Sequence, residues 1–261
     1  MKQIKVGIVG RGWVGGAMKK LFPDAYVYTH QTGKKEEINK CDVVFICVPS
    51  PLIIKGKQKG RLDTSIVQEV ISWCEAKLIV IRSTVNPGDT HRFKVMFNKH
   101  IVFEPEYLGE TPQHPLLDTK LAPFIIIGGS FVDRQKLIEL YTTVYNANVK
   151  IRQTDDYTAE VIKLTENRAI AFKVMQAQEL YDACQKAGVD YYTVVNAVYG
   201  DDPRFNLWWT MIYPKNRGFN SSKCLKKDVP AWAKWARLNK AKPVITELLV
   251  ERSNQYAKKS A

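Results

Sequence analysis

Two short stretches hold residues whose types and spacing could do chemistry. The stretch "VGIVGRGWVGGAM" places Gly10, Gly12 and Gly15 in a GxGxxG pattern, after a hydrophobic run and ahead of a helix-like segment. Such glycines permit a tight turn and let a pyrophosphate approach a helix N-terminus, so a dinucleotide site that includes Trp13 and Val14 is predicted here. An acidic residue about twenty positions on usually accepts hydrogen bonds from the adenosine ribose. This chain instead offers "VYTHQTGKK", with Thr29 and His30 at that place and Lys34 and Lys35 close behind. The two lysines either favour a 2′-phosphate, and so NADP, or are solvated loop residues. The second stretch, "NRGFNSSKCLKKD", sets Cys224 among Lys223, Lys226 and Lys227. Nearby positive charge promotes thiolate character and suits a nucleophile. Free cysteine is also among the residues most often buried as a small hydrophobe, a description that fits Cys41, Cys47, Cys74 and Cys184 better.

The elements that must position these residues change character along the chain. The runs "IKVGIV", "AYVYT", "DVVFICV", "KLIVIRS", "HIVFEP" and "PFIIIGG" alternate with turns or amphipathic stretches, which predicts a parallel sheet covered by helices on both faces. From Asp156 the chain runs without proline or glycine to Ala187, predicting one helix of roughly 48 Å at 1.5 Å per residue. The expected fold is therefore α/β, a Rossmann-type doubly wound parallel sheet in residues 1–153, followed by a smaller all-helical domain in 154–261.

Composition narrows the classes further. With 261 residues and 45% hydrophobic content the chain can bury a proper core. No run reaches the eighteen or so apolar residues of a membrane helix, and the start resembles a strand rather than a signal peptide, so a cytoplasmic protein is expected. The five cysteines are odd in number and irregularly spaced, without the paired CxxC of a zinc site, so free thiols and no metal are expected. A net charge of +13 points to an anionic partner. The lysines are spread along the chain and no nucleic-acid-binding motif accompanies them, which argues against nucleic acid.

Six further segments, in order, resemble the UDP-glucose and GDP-mannose 6-dehydrogenase family. "FICVPSP" is similar to its F-I-C-V-P-T-P strand end, "RSTVNPGDT" to S-T-V-P-P-G-T, and "FEPEYLGE" to N-P-E-F-L-x-E. "AEVIKLTEN" resembles A-E-x-x-K-x-x-x-N, "DDPRF" resembles D-x-R-I, and "CLKKD" resembles the C-F-x-K-D segment that carries a catalytic cysteine. With the glycine turn they extend from residue 6 to about residue 230, and the remainder is similar to a helical link that leads into the family's third, nucleotide-sugar-binding domain.

The resemblance implies oxidation of a primary alcohol of a nucleotide sugar to a carboxylate, in two hydride transfers to NAD. Cys224 would hold the aldehyde-level intermediate as a thiohemiacetal and then a thioester. Lys163 would stabilise oxyanions, and Asn167, four residues on and so on the same helix face, would reach the same substrate. Asp228 would act as general base with water, Glu106 would activate the hydrolytic water, and Thr84 would position it. Cofactor contacts would come from Gly10, Gly12, Trp13, Val14, Gly15, Thr29, Lys34, Pro49, Ser83, Thr84 and Glu110. Substrate contacts would come from Tyr107, Leu108, Lys227 and Arg204, the last reaching across a homodimer built on the helical domain.

Three differences accompany the resemblance. The family's G-F-G-G-x-C loop becomes "GFNSSKC", with serines for glycines and one more residue before Cys224; only about fourteen residues separate Tyr28 from Val43, where a further helix and strand are usual; and the 261 residues are expected to lack the third domain. Two other readings therefore stand beside the first. One is a simpler hydroxy-acid or sugar-acid dehydrogenase that uses the lysine and asparagine without the cysteine. The other is a catalytically degenerate cofactor-binding or interaction protein.

Overall fold

Uninterrupted aliphatic runs make the centre of the sheet. In the computed structural model, which describes residues 4–109, 116, 118–206, 209–212 and 217–259, strands β1 (Val6–Val9), β3 (Val43–Ile46) and β4 (Leu78–Ile81) are buried at every position. Strands covered on both faces need no polar alternation, which is why they read as continuous hydrophobic segments. Strands β2 (Tyr26–Tyr28), β5 (Ile101–Phe103), β6 (Phe124–Gly128) and β7 (Lys150–Thr154) complete a seven-stranded sheet of order β2-β1-β3-β4-β5-β6-β7. Pairing is parallel throughout except between β5 and β6, which meet antiparallel at Phe103 and Gly128.

Alternate residues of each strand feed two cores, one on each face of the sheet. Phe45, Val80 and Ile127 pack with Met18 and Leu21 of α1 (Trp13–Leu21) and with Leu137 and Tyr141 of α5 (Phe131–Tyr141). Val44, Ile46, Ile79 and Ile81 pack with Val67 and Ile71 of α3 (Ser65–Trp73) and with Phe93 of α4 (Asp89–Phe97). The expected sheet with helices on both faces is thus present. Between β2 and β3 the chain builds only the four-residue helix α2 (Lys35–Ile38), so β2 is an edge of the sheet.

The chain divides into two units, Met1–Lys57 with Leu62–Lys163, and Gln58–Arg61 with Leu164–Ala261. The sheet belongs to the first. Helix α6 runs unbroken over Asp156–Ala187, the ends read from the sequence, and contributes its opening turns to the first unit and the rest to the second. The second unit adds α7 (Tyr191–Val195), a π-helical turn at Asn196–Gly200, α8 (Leu225–Leu238) and α9 (Val244–Lys259). Ala171 and Met175 of α6, Leu225 and Val229 of α8, Tyr256 of α9 and Phe219 form its main core. No helix among the described residues is long and apolar enough to cross a membrane.

Candidate active site

The residues singled out in the sequence fall into two sets, one in each unit. In the sheet unit the glycine turn follows β1. Gly10 has φ +98°, and a Cβ there would lie 2.3 Å from the Cys47 carbonyl oxygen; a Cβ on Gly15 would lie 2.0 Å from the carbonyl oxygen of Gly10. Neither position admits a side chain. Gly12 caps the N-terminus of α1 with no atom within 4 Å of its Cβ direction, and the first turn of α1 carries no acidic residue and no side-chain cap. That leaves amides and a positive helix end free for an anion, which fits the pyrophosphate of a dinucleotide. Trp13 is 62% exposed beside this opening, and Val14 packs against the core below it.

The surrounding strand ends are already committed to local structure. Thr29, at the end of β2, accepts the backbone N–H groups of Gln31 and Thr32 and closes a turn with its hydroxyl. Lys34 is exposed at the start of α2, while the ammonium of Lys35 stacks on the Trp73 ring at 4.7 Å. Ser83 ties the ends of β3 and β4 together, its Oγ accepting the Val48 N–H and donating to the Val48 carbonyl. Pro49 is exposed next to this tie and Thr84 is half-buried. Glu110 lies outside the described residues.

Glu106 sits in the segment after β5. Its Oε1 accepts the N–H groups of Tyr107 at 2.7 Å and Leu108 at 2.9 Å, and its Oε2 is ion-paired with Arg82. Arg82 is buried and also pairs with Glu104, which in turn accepts the hydroxyl of Tyr141. Glu104 stands where the quoted family segment has asparagine. Burial raises the Glu104 carboxyl above its ordinary range, opposed by Arg82 and by the Tyr141 hydrogen bond. Lys163, 7% exposed on α6, places its ammonium 4.8 Å from the centre of the Tyr107 ring. The unit thus brings Lys163, Tyr107, Leu108 and Glu106 into one connected group.

In the helical unit Asp228, fully buried on α8, accepts the side-chain amide of Asn167 on one oxygen and pairs with Lys227 at 2.8 Å on the other. Cys224 is the N-cap of α8; its carbonyl receives the N–H groups of Lys227 and Asp228, and the helix dipole at this end favours negative charge. Ser222 accepts the Leu225 N–H at 3.0 Å, so one serine that replaces a family glycine satisfies the first amide of the helix. Cys224 is half-buried, whereas the other four thiols are buried, and burial pushes Cys41 up to about 11 and Cys47 up to about 12. Arg204 lies on the surface and forks onto the carboxylate of Asp202, with contacts of 2.6 to 3.0 Å.

Several participants escape sequence reading. Arg82, Glu104 and Tyr141 are far apart in the chain, and nothing local marks their pairing. Glu160 was visible only as a letter of the "AEVIKLTEN" segment, yet it is fully buried and accepts the N–H groups of Gly88 at 2.5 Å and Thr90 at 2.8 Å, capping α4 from α6.

A glycine turn opening the first crossover of a doubly wound sheet, followed by a helical unit with a half-buried thiol, defines the two-part architecture of a dinucleotide-dependent dehydrogenase. The family is set by comparison. The NAD binding domain of the UDP-glucose/GDP-mannose dehydrogenase family matches residues 24–149 and its central domain matches 157–256, and the chain belongs to this family. A UDP-N-acetyl-D-mannosamine dehydrogenase of Methanococcus vannielii is 29% identical over 66% of this chain and 41% of its own length. A UDP-glucose 6-dehydrogenase of Rickettsia bellii is 28% identical over 84% and 50%, and a GDP-mannose 6-dehydrogenase of Pseudomonas aeruginosa 29% over 87% and 54%. The chain spans about half the length of the curated relatives it matches. Among solved structures, a UDP-glucose dehydrogenase from Pyrobaculum islandicum aligns with TM-score 0.78 and 22% identity, covering 97% of this chain and 68% of that one. NAD is accordingly the cofactor of the sheet unit, and the glycine turn and bare N-terminus of α1 are the residues that would hold its phosphates.

Proposed function

We propose that this chain oxidises the primary alcohol of a nucleotide sugar, of the UDP-glucose class, to a carboxylate through a thioester on Cys224. The observation that carries the reading is the cluster in the helical unit: a half-buried cysteine at the N-terminus of α8, one turn ahead of a buried aspartate that holds Asn167 and Lys227. NAD would supply the hydride acceptor, a fresh molecule for each of the two oxidations, and Asp228 with water takes the alcohol proton in the first. The chain's own residues do the rest. Cys224 sulfur adds to the aldehyde carbon formed in the first oxidation, and Lys163 stabilises the oxyanion that this addition creates. Loss of hydride from that adduct leaves a thioester. Water, positioned by Thr84 and activated by Glu106, adds to the thioester carbon; the carbon–sulfur bond breaks, the thiolate leaves and the carboxylate forms. Asp228 fixes the Asn167 amide and the Lys227 ammonium that face the substrate, and Tyr107, Leu108 and Arg204 contact its anionic part. The +13 net charge suits that substrate, and the chain acts in the cytoplasm as a homodimer through its helical unit.

The test supplies purified protein with NAD or NADP and a panel of UDP- and GDP-sugars, and follows reduced nicotinamide. Two equivalents per sugar, abolished in Cys224→Ser, are expected. One equivalent that survives the substitution would replace this reading with single-step oxidation of a simpler hydroxyl, and cofactor binding without turnover would refute it outright.

A further inference from the structure

The loop that leads to Cys224 is held at its far end by helix α9. Gly218 has φ +74°, and a Cβ there would lie 2.8 Å from Ser253 Oγ and 3.0 Å from the Ser253 carbonyl oxygen, so the loop is pressed against this serine. Ser253 is fully buried. Its hydroxyl accepts the Phe219 N–H at 2.9 Å, and its carbonyl accepts the side-chain amide of Asn220 at 3.2 Å, which also donates to Asn254 Oδ1 at 3.0 Å. Phe219 is driven into the core beside Leu225 and Val229 of α8, and its own carbonyl receives the Ser222 N–H at 3.1 Å.

The start of the loop is clamped as firmly. Arg217 donates to the Gln178 side chain and pairs with Asp182 at 2.5 Å, and its guanidinium lies 4.7 Å from the Tyr256 ring. Tyr256 closes the circuit by donating its hydroxyl to the other oxygen of Asp182 at 2.6 Å. Ser253 and Tyr256 are three apart on α9 and so share a face, and the loop runs between this face and the start of α8. Two fixed points therefore bracket the thiol: Ser253 on Phe219, and Ser222 on Leu225.

We propose that Ser253 is a positioning residue for Cys224: it anchors the longer, serine-containing loop so that the sulfur stays at the N-terminus of α8. This rests on Cys224 being the nucleophile, and it explains how a loop with one more residue than the family pattern keeps a defined end. A free Phe219 amide would let the loop and the helix cap move together, and the thiolate would lose the fixed helix terminus.

The test reads the thiol directly and needs no turnover. The full chain is treated with iodoacetamide across pH 6 to 10 and alkylation of Cys224 is followed by mass spectrometry, the four buried cysteines serving as internal references. Ser253→Ala is expected to slow alkylation about two- to fivefold at pH 7 and move the profile to higher pH, the size set by losing a helix terminus. Asn220→Ala, at a half-buried position, removes one of the two loop contacts to Ser253 and is expected to shift the profile the same way by a smaller amount. A Ser253→Ala profile that superimposes on wild type overturns the proposal. If that variant does not fold, an unchanged Asn220→Ala profile does so. Either result leaves the dehydrogenase reading to its own assay, in which Cys224→Ser alone decides.

Discussion

Glu160 gives a pH dependence whose sign and size follow from its surroundings. The side chain is fully buried, and desolvation pushes its carboxyl from 4.5 to about 7, overriding the hydrogen bonds from Thr90 and Gly88, with Asp89 adding repulsion. The unfolded chain ionises this group near 4.5 and the folded chain near 7, so between these values the folded state holds more proton. Stability from Glu160 is therefore fully present below about pH 4.5 and is lost as pH rises through 7. A shift of roughly 2.5 units at 1.36 kcal/mol each amounts to about 3 kcal/mol, of which about 2 to 3 kcal/mol falls between pH 5 and pH 8. Glu160→Gln keeps the shape of the protonated carboxyl and cannot ionise. Unfolding free energies from hydrogen exchange of the β3 and β4 amides in urea, taken at pH 5 and pH 8, should show the variant gaining that amount on wild type. Parallel pH profiles would refute the reasoning. A wild type that gained on the variant with rising pH would mean that the amides of α4, not burial, control the carboxylate.

Two further perturbations test the sheet unit. Gly15→Ala forces a Cβ to within 2.0 Å of the Gly10 carbonyl oxygen, so it should destabilise the fold by about 1 to 3 kcal/mol and abolish NAD binding, read by thermal melts and calorimetric titration. Arg82→Met leaves two carboxylates without their shared cation and should cost about 3 to 5 kcal/mol in urea unfolding, with part recovered in Arg82→Met/Glu104→Gln.

How much of this was legible depended on whether the signal was local. β1, β3, β4, β5 and β6 announced themselves because burial on both faces demands unbroken aliphatic runs, the edge strand β2 by its short run of tyrosine and valine, and α6 because nothing between Asp156 and Ala187 breaks a helix. β7 was missed: "KIRQT" is an edge strand with mostly exposed side chains, so it lacks the hydrophobic pattern that marks its neighbours. The reversal of direction between β5 and β6 was also invisible, because pairing direction is set by the path of the intervening chain. The tight glycine turn after β1 could be read since glycine spacing encodes backbone geometry directly. Thr29, Lys34 and Ser83, named from the sequence as cofactor contacts, also do local work that the sequence did not display: they close a turn, begin a helix and tie two strands. The Arg82 network and the Ser253 anchor join residues 22 to 37 positions and 33 to 34 positions apart, beyond any periodicity a single sequence displays.

The opening turns of α6 behave as a keyed shaft. Lys94 pairs with Asp156 at 2.7 Å, Glu160 grips the end of α4, and Gly128 lets the helix sink so close that a Cβ there would lie 2.5 Å from that of Ala159. These contacts fix both the depth and the rotation of the helix before Lys163 leaves it. Each residue turns an α-helix by about 100°, so one residue inserted between Glu160 and Lys163 would swing the ammonium off the Tyr107 ring by more than a quarter of a revolution. The spacing of Glu160 and Lys163 is thus an angular setting, and the length of the segment between them is as much a part of the candidate site as the lysine itself.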